Sequence, residues 1–404
     1  MRYSVPTAAV LACAAVFYVR ATIGGEEDAA NLDVVRPADG TKPLLGKVTR
    51  DDYLFVEVQT RFGKPRRPSY AVQEVLRGDR VPEYDRALEA RDQERYTVAA
   101  RWFRAALEKM ADRSWAAEYC NFGIAEALRA AAHYDPWKGR TYTYQAPAAY
   151  YALAIEANPK SRFILAAMAK RADCLVKQES VDLDNAHQAL TAAQARVQQY
   201  REEIKPLYDL AWLKAAERAE TMLLWAAAQL EVRRAEQAAV KDYGPALAAC
   251  RSAVRAAQKD HPDIFAEAAA EEVRLLFKAG RTEEATARAD QLIRECENTP
   301  ARSDVAAAAY AMLGKIRYAD ALHLEGRGQA AQAQTAYADA RWNFLKTLVQ
   351  FPQAGEGSEE TLRLVVVCYE KLSGQETDAA VHAARYRGEL LRLFPNSANP
   401  QRPQ

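Results

Sequence analysis

The stretch Arg95–Lys109, RYTVAARWFRAALEK, decides the fold, because Tyr96, Ala99, Phe103 and Ala106 follow one another at steps of 3, 4 and 3. Such steps keep all four side chains on one face of an α-helix. The spacing returns at Tyr144, Pro147, Tyr151 and Ala154, at Tyr243, Ala246, Cys250 and Ala253, and at Tyr337, Ala340, Phe344 and Thr347. In the second and fourth of these a proline, Pro159 or Pro352, follows five residues later and ends the unit. A shorter unit runs through Gly280, Thr282, Ala285, Ala289 and Leu292. Small residues in the stripe let a neighbouring helix approach closely, and the aromatic wedges against it. Recurrence along the chain marks an array of helical hairpins.

Composition agrees with this reading. The 404 residues include 83 alanines against 17 glycines and 17 prolines, a balance that favours helix and excludes all-β and collagen-like folds. Half of the chain is hydrophobic and 27% is charged, enough apolar surface for a core. With 55 basic and 54 acidic side chains the net charge is +1, so no global field draws in nucleic acid or an anionic membrane.

The array predicts a helical domain over 82–396, with a disordered tail at 397–404. The recurring unit resembles the second helix of the tetratricopeptide repeat, and Ala87, nine residues before Tyr96, stands where that family's first helix carries a small residue. The closing segment AARYRGELLRLFPNS (Ala383 to Ser397) resembles the last repeat of bacterial envelope proteins of this family. The resemblance implies a mainly α fold, a tetratricopeptide-like α-solenoid of about six hairpins. They average over 50 residues, longer than the usual ~34, so some helices are elongated, above all between Asp182 and Gln237.

Between 32 and 80 alanine nearly vanishes, and a small β-barrel-like domain is expected. LDVV (Leu32 to Val35), LLGKV (Leu44 to Val48), YLFVEVQT (Tyr53 to Thr60) and SYAVQEVL (Ser69 to Leu76) read as strands, and the segment resembles Sm-like or SH3-like barrels. Arg61, Lys64, Arg66 and Arg67, near Phe62 and Tyr70, form either a solvated turn or a polyanion-binding patch. Pro65-Arg-Arg-Pro68 either blunts an edge strand or offers a polyproline-type ligand.

At the amino terminus Arg2 precedes the apolar run Val5–Val19, and Val19-Arg20-Ala21 supplies the small residues of a cleavage site. We expect an export signal over 1–21, cleaved near Ala21, a linker over 22–31, and a protein of the periplasm or cell envelope. The alternatives are a retained anchor, for which the run is short of ~20 residues, and lipidation at Cys13. The other five cysteines are widely spaced and read as small buried hydrophobes, although a disulfide stays possible. No zinc spacing, Walker loop or nucleophile elbow occurs. Gly326-Arg-Gly328-Gln-Ala-Ala331 follows a helix rather than a strand and reads as a turn. No catalytic residue, metal or cofactor is expected, and an enzyme is the least favoured class.

The resemblance implies a non-enzymatic scaffold whose concave face, lined by the first helix of each hairpin, holds a peptide or protein partner. Asn121, Arg129, Lys170, Arg171, Lys214, Arg218, Lys315 and Arg317 fall on those helices, and as a basic set would suit an acidic or carboxylate-terminated peptide. Two alternatives are a self-assembling envelope or secretion component that associates through Leu390, Leu393 and Phe394, and a polyanion or glycan binder acting through Arg61 to Arg67.

Overall fold

The structure is a computed structural model that describes residues 31–134, 143–207, 210–297, 303–350 and 358–394. The leader, most of the linker, Cys13, Pro352, Pro395 and the tail expected from sequence lie outside the described residues. Two compact units form. One holds the chain up to Ile124, Leu153–Ala167 and a short stretch ending at Ala215; the other holds Ala125–Ala152, Met168–Tyr208 and the chain from Ala216.

The first unit contains a five-stranded antiparallel sheet: β1 (Asp33–Pro37), β2 (Leu44–Asp51), β3 (Phe55–Gln59), β4 (Arg66–Pro68) and β5 (Val72–Leu76), in the order β4-β3-β2-β1-β5. β2 pairs with β1 through its first half and with β3 through its second, and the register shifts between Val48 and Arg50. Such a shift bends the strand so that one segment serves both halves of the sheet. The Asp52 carboxylate accepts the amides of Leu54 and Phe55 at 2.9 and 2.8 Å and fixes the β2–β3 turn. Val56 and Val58 are fully buried, as their alternation predicts.

Two details depart from the sequence reading. Pro65-Arg-Arg-Pro68 supplies a strand, β4, with Arg67 opposite Val56, and this terminal strand carries its proline where no further ladder bond is needed. Ser69–Ala71, expected to begin a strand, forms one 3-10 turn before β5.

Fourteen α-helices are found among the described residues: α1 (Pro82–Asp92), α2 (Tyr96–Lys109), α3 (Ala116–Tyr134), α4 (Gln145–Ala157), α5 (Ile164–Val176), α6 (Leu183–Ile204), α7 (Leu210–Gln237), α8 (Gly244–Ala257), α9 (Pro262–Lys278), α10 (Thr282–Cys296), α11 (Ser303–Gly326), α12 (Ala330–Gln350), α13 (Ser358–Leu372) and α14 (Ala379–Leu393). Taken in order they make seven successive pairs. The long stretch from Asp182 to Gln237 resolves into α6 of 22 residues and α7 of 28. Local signals set the starts: Asp182 caps α6 by accepting the Asn185 amide at 3.0 Å, and Pro82, Pro245 and Pro262 sit in first turns. Gly328, at φ 76°, makes the turn between α11 and α12, so the Gly326–Ala331 pattern is a helix-to-helix turn.

In both units the 3-4-3 stripes lie inside. Ala99, Phe103, Ala106, Tyr151, Ala154, Tyr243, Ala246, Cys250, Ala253, Tyr337, Ala340, Phe344 and Thr347 are all buried, while Tyr96 and Tyr144, at the leading positions, are half-buried. In the second unit one continuous core runs from Trp225 in α7 to Ile316 in α11, and a further cluster joins α11, α12, α13 and α14. The five described cysteines, Cys120, Cys174, Cys250, Cys296 and Cys368, are buried free thiols within this packing.

Candidate functional site

At three steps of the second unit, α3 to α5, α7 to α9 and α11 to α13, one first helix meets the next through charge. Lys170 of α5 donates to Glu126 of α3 at 2.6 Å, and Arg129 of α3 donates to Asp173 of α5 at 2.9 Å. Between α7 and α9, Arg218 reaches Asp263 at 3.3 Å, while Lys278 and Arg274 reach Glu236 at 2.6 and 3.2 Å. Between α11 and α13, Lys315 donates to Glu360 and Lys371 to Glu325, both at 2.6 Å. The partners are separated in sequence by 38 to 46 residues, which is one hairpin step.

Two of these carboxylates also hold the second helix. Tyr151 of α4 donates its hydroxyl to Glu126, and Tyr337 of α12 donates to Glu325 at 2.6 Å. Each glutamate therefore binds a tyrosine of its own hairpin and a lysine of the next. This is the polar handle of an otherwise buried aromatic finding a partner.

The face formed by α5, α7 and α9 carries a cavity of about 370 Å³ lined by Lys177, Trp225, Gln229, Arg233, Glu236, Glu271 and Arg274, with Val176 and Val232. Residues 225, 229, 233 and 236 recur at helical spacing along α7, which brings them to one face. At one corner Glu267 of α9 accepts from Lys177 Nζ and from Trp225 Nε1, each at 2.9 Å, tying three helices together. Asp173 is 2% exposed, and burial raises its carboxyl, yet Lys177 and Arg129 hold it below the usual carboxylate range. Burial by itself would lower the Lys177 ammonium; Asp173 and Glu267 instead keep it well above its usual value. Both ends of this pair stay charged at neutral pH. The Gln229 side-chain carbonyl is buried and has no hydrogen-bond partner among the described residues.

The sequence-predicted residues fall in both units. Asn121, buried on α3, and Lys214, exposed on α7, belong to the first. In the second, Arg129, Lys170, Arg218 and Lys315 are bound to carboxylates across helix steps, and Arg317 lies 3.6 Å from Asp320 on its own helix. Arg171 is half-buried and makes no hydrogen bond or ion pair among the described residues. Sequence reasoning missed Lys177, Trp225, Gln229 and Arg274. Helical spacing along α7 is the prior trace of Trp225 and Gln229 alone; Lys177, just past α5, and Arg274, on α9, had none.

At the carboxyl end Leu390 and Phe394 are buried against Leu362, with Leu393 packed beside them. The surface read as a self-assembly contact is thus largely internal, because α14 turns this edge toward α13. Among the described residues no group of histidine, cysteine and acidic side chains could hold a metal ion, and no helix is long and apolar enough to cross a membrane.

Successive helix pairs with small-residue seams, each pair holding a buried aromatic, complete the pattern. The array is tetratricopeptide-like. No protein-family model matches the chain, and no curated protein matches it. Among solved structures, a tetratricopeptide repeat protein from Parabacteroides merdae is 15% identical, with a TM-score of 0.37 over 71% of this chain and 97% of its own. A human IFIT1 dimer with PPP-AAAA is 16% identical, with a TM-score of 0.31 over 76% of this chain and 70% of its own. The TPR domain of P58(IPK) is 15% identical, with a TM-score of 0.21 over 79% of this chain and 84% of its own. The repeat organisation itself rests on the packing described above.

Proposed function

We propose that the chain is a non-enzymatic bacterial adaptor, exported to the periplasm or cell envelope, that holds an extended peptide segment of a partner protein on the face of α5, α7 and α9. One observation carries this reading: the cavity joins an indole, a buried carbonyl without a partner at Gln229, and cations and carboxylates fixed by their neighbours. An extended peptide offers what that set lacks, a backbone N–H for Gln229 and a side chain for the space beside Trp225. Arg171 on α5, without an ion pair among the described residues, is a further cation for an acidic residue of the peptide.

A photo-crosslinking residue placed at Gln229, followed by identification of the trapped partner from the native host, tests the proposal. One specific partner is expected, and its capture should fall when Trp225 is replaced by alanine. Capture that is indiscriminate, or that is indifferent to Trp225→Ala in a folded variant, would overturn it. Export is tested separately by fractionation and by sequencing the mature amino terminus, with cleavage near Ala21 expected.

A second reading, polyanion or glycan binding at the β3–β4 hairpin, is supported by the exposure of Arg61, Phe62, Lys64 and Arg66 there, Phe62 being 93% exposed. Salt-dependent retention on heparin that disappears in an Arg61→Glu, Lys64→Glu variant is its expected outcome.

A further inference from the structure

A second cavity, of about 240 Å³, opens among α8, α9 and α10, and its lining includes Arg251, Arg255, Glu272, Arg288 and Glu295 over an apolar floor of Val254 and Phe265. Glu272 is 5% exposed and organises it. Its two carboxylate oxygens accept from Arg251 Nε and Arg288 Nε, each at 2.9 Å, so both guanidiniums are gripped by the same edge. Neither arginine makes any further hydrogen bond among the described residues, and their Nη groups are left to donate elsewhere. Arg255 is exposed and, among the described residues, bonds only to Ser252, at 3.2 Å.

We infer that this cavity is a site for a phosphoryl group. Two guanidiniums oriented by one buried carboxylate present paired N–H donors at fixed angles, the geometry in which arginine binds phosphate bidentately. Three arginines against Glu272 and Glu295 leave the lining with an excess positive charge, and Glu272 is already engaged by two of them. The volume admits a phosphate and a short stem rather than a folded segment. The site is independent of the face around Trp225, since it draws on α8 and α10 and on Glu272 rather than on Glu267, Glu271 and Arg274 of α9.

The test is a titration of the full chain with inorganic phosphate at constant ionic strength, read by ³¹P line broadening and by the melting temperature against a chloride control. Saturable binding is expected, weakened about tenfold by Arg251→Lys or Arg288→Lys, since each keeps a cation facing Glu272 but removes the free Nη donors. Should either fail to fold, Arg255→Gln must still weaken binding, because Arg255 carries no ion pair. A phosphoserine peptide that binds more tightly than inorganic phosphate assigns the group to a phosphorylated partner, and equal affinity assigns it to the free ion. Absence of saturable binding, folded lysine variants that bind as the parent does, or acetate that competes as well as phosphate would each overturn the inference.

Discussion

Phe103 of α2 occupies the space where a side chain on Gly123 of α3 would stand: a Cβ there would come within 2.8 Å of the ring's Cζ. The ring is 2% exposed and also meets Tyr84 of α1 edge-on at 5.4 Å. Phe344 of α12 covers Gly314 of α11 in the same manner, more tightly still. The absence of a side chain on one helix is thus matched to the aromatic on another.

Gly123→Ala should destabilise the first unit by about 1–3 kcal/mol through overpacking, and Phe103→Ala by about 3–5 kcal/mol through the cavity it leaves. The double variant should cost less than the sum, since the new methyl enters the vacated space. Urea unfolding of the four proteins measures the coupling, and strict additivity would refute the contact.

Acid should unfold the second unit in a definite window. Asp173 is held below its ordinary 3.8 and Glu126 below its ordinary 4.5 by neighbouring cations, despite burial that pushes both upward. Carboxyls whose folded values are depressed stabilise the fold above their unfolded values and lose that contribution as pH falls through the folded ones. Melting temperature should therefore hold steady from neutrality to about pH 4.5 and drop below it. Asp173→Asn should cost about 3–5 kcal/mol at neutral pH, because Arg129 and Lys177 lose their shared partner, and the acid limb should become shallower.

The two tyrosine–glutamate–lysine clasps should differ in strength. Lys170 and Glu126 have side chains 21% and 31% exposed, against 39% and 44% for Lys371 and Glu325. Lys371→Ala should cost under about 1 kcal/mol and respond to salt, as exposed pairs do. Lys170→Ala should cost more, and Tyr151→Phe about 1–2 kcal/mol, by withdrawing a buried donor from Glu126. Denaturation at low and high ionic strength separates the two.

The helical thiols should be inert in the folded chain. Burial pushes the Cys120 and Cys368 thiols up to about 12, and Cys174 and Cys250 further in the same direction. A thiol-reactive chromophore should label these positions only after denaturation, with peptide mapping to identify each site.

The seams were legible because steps of 3 and 4 are local: Ala99, Phe103 and Ala106 lie within one helix and declare its buried face. Gly123 and Gly314 were not, since a glycine's role as a receiving surface depends on a ring from another helix. The charge pairs were invisible for the same reason, as Lys170 and Glu126 lie 44 residues apart with no short-range signature. Sequence alone identified Arg129, Lys170, Arg218 and Lys315 as cations, while only folding supplied the carboxylate facing each. β4 was hidden in Arg66-Arg67-Pro68 because proline and charge argue against a strand, except at the end of a sheet.

The charge pairs between first helices also bear on how such an array can change in length. The junctions α3–α5, α7–α9 and α11–α13 each carry a cation and a carboxylate on either side, paired in both directions. A block of two hairpins duplicated in frame would repeat this alternation and arrive with a complementary edge at each end, and one deleted would leave edges that still match. Growth or loss by such two-hairpin blocks would leave these junction charges balanced, in keeping with the present net charge of +1, without any compensating substitution elsewhere.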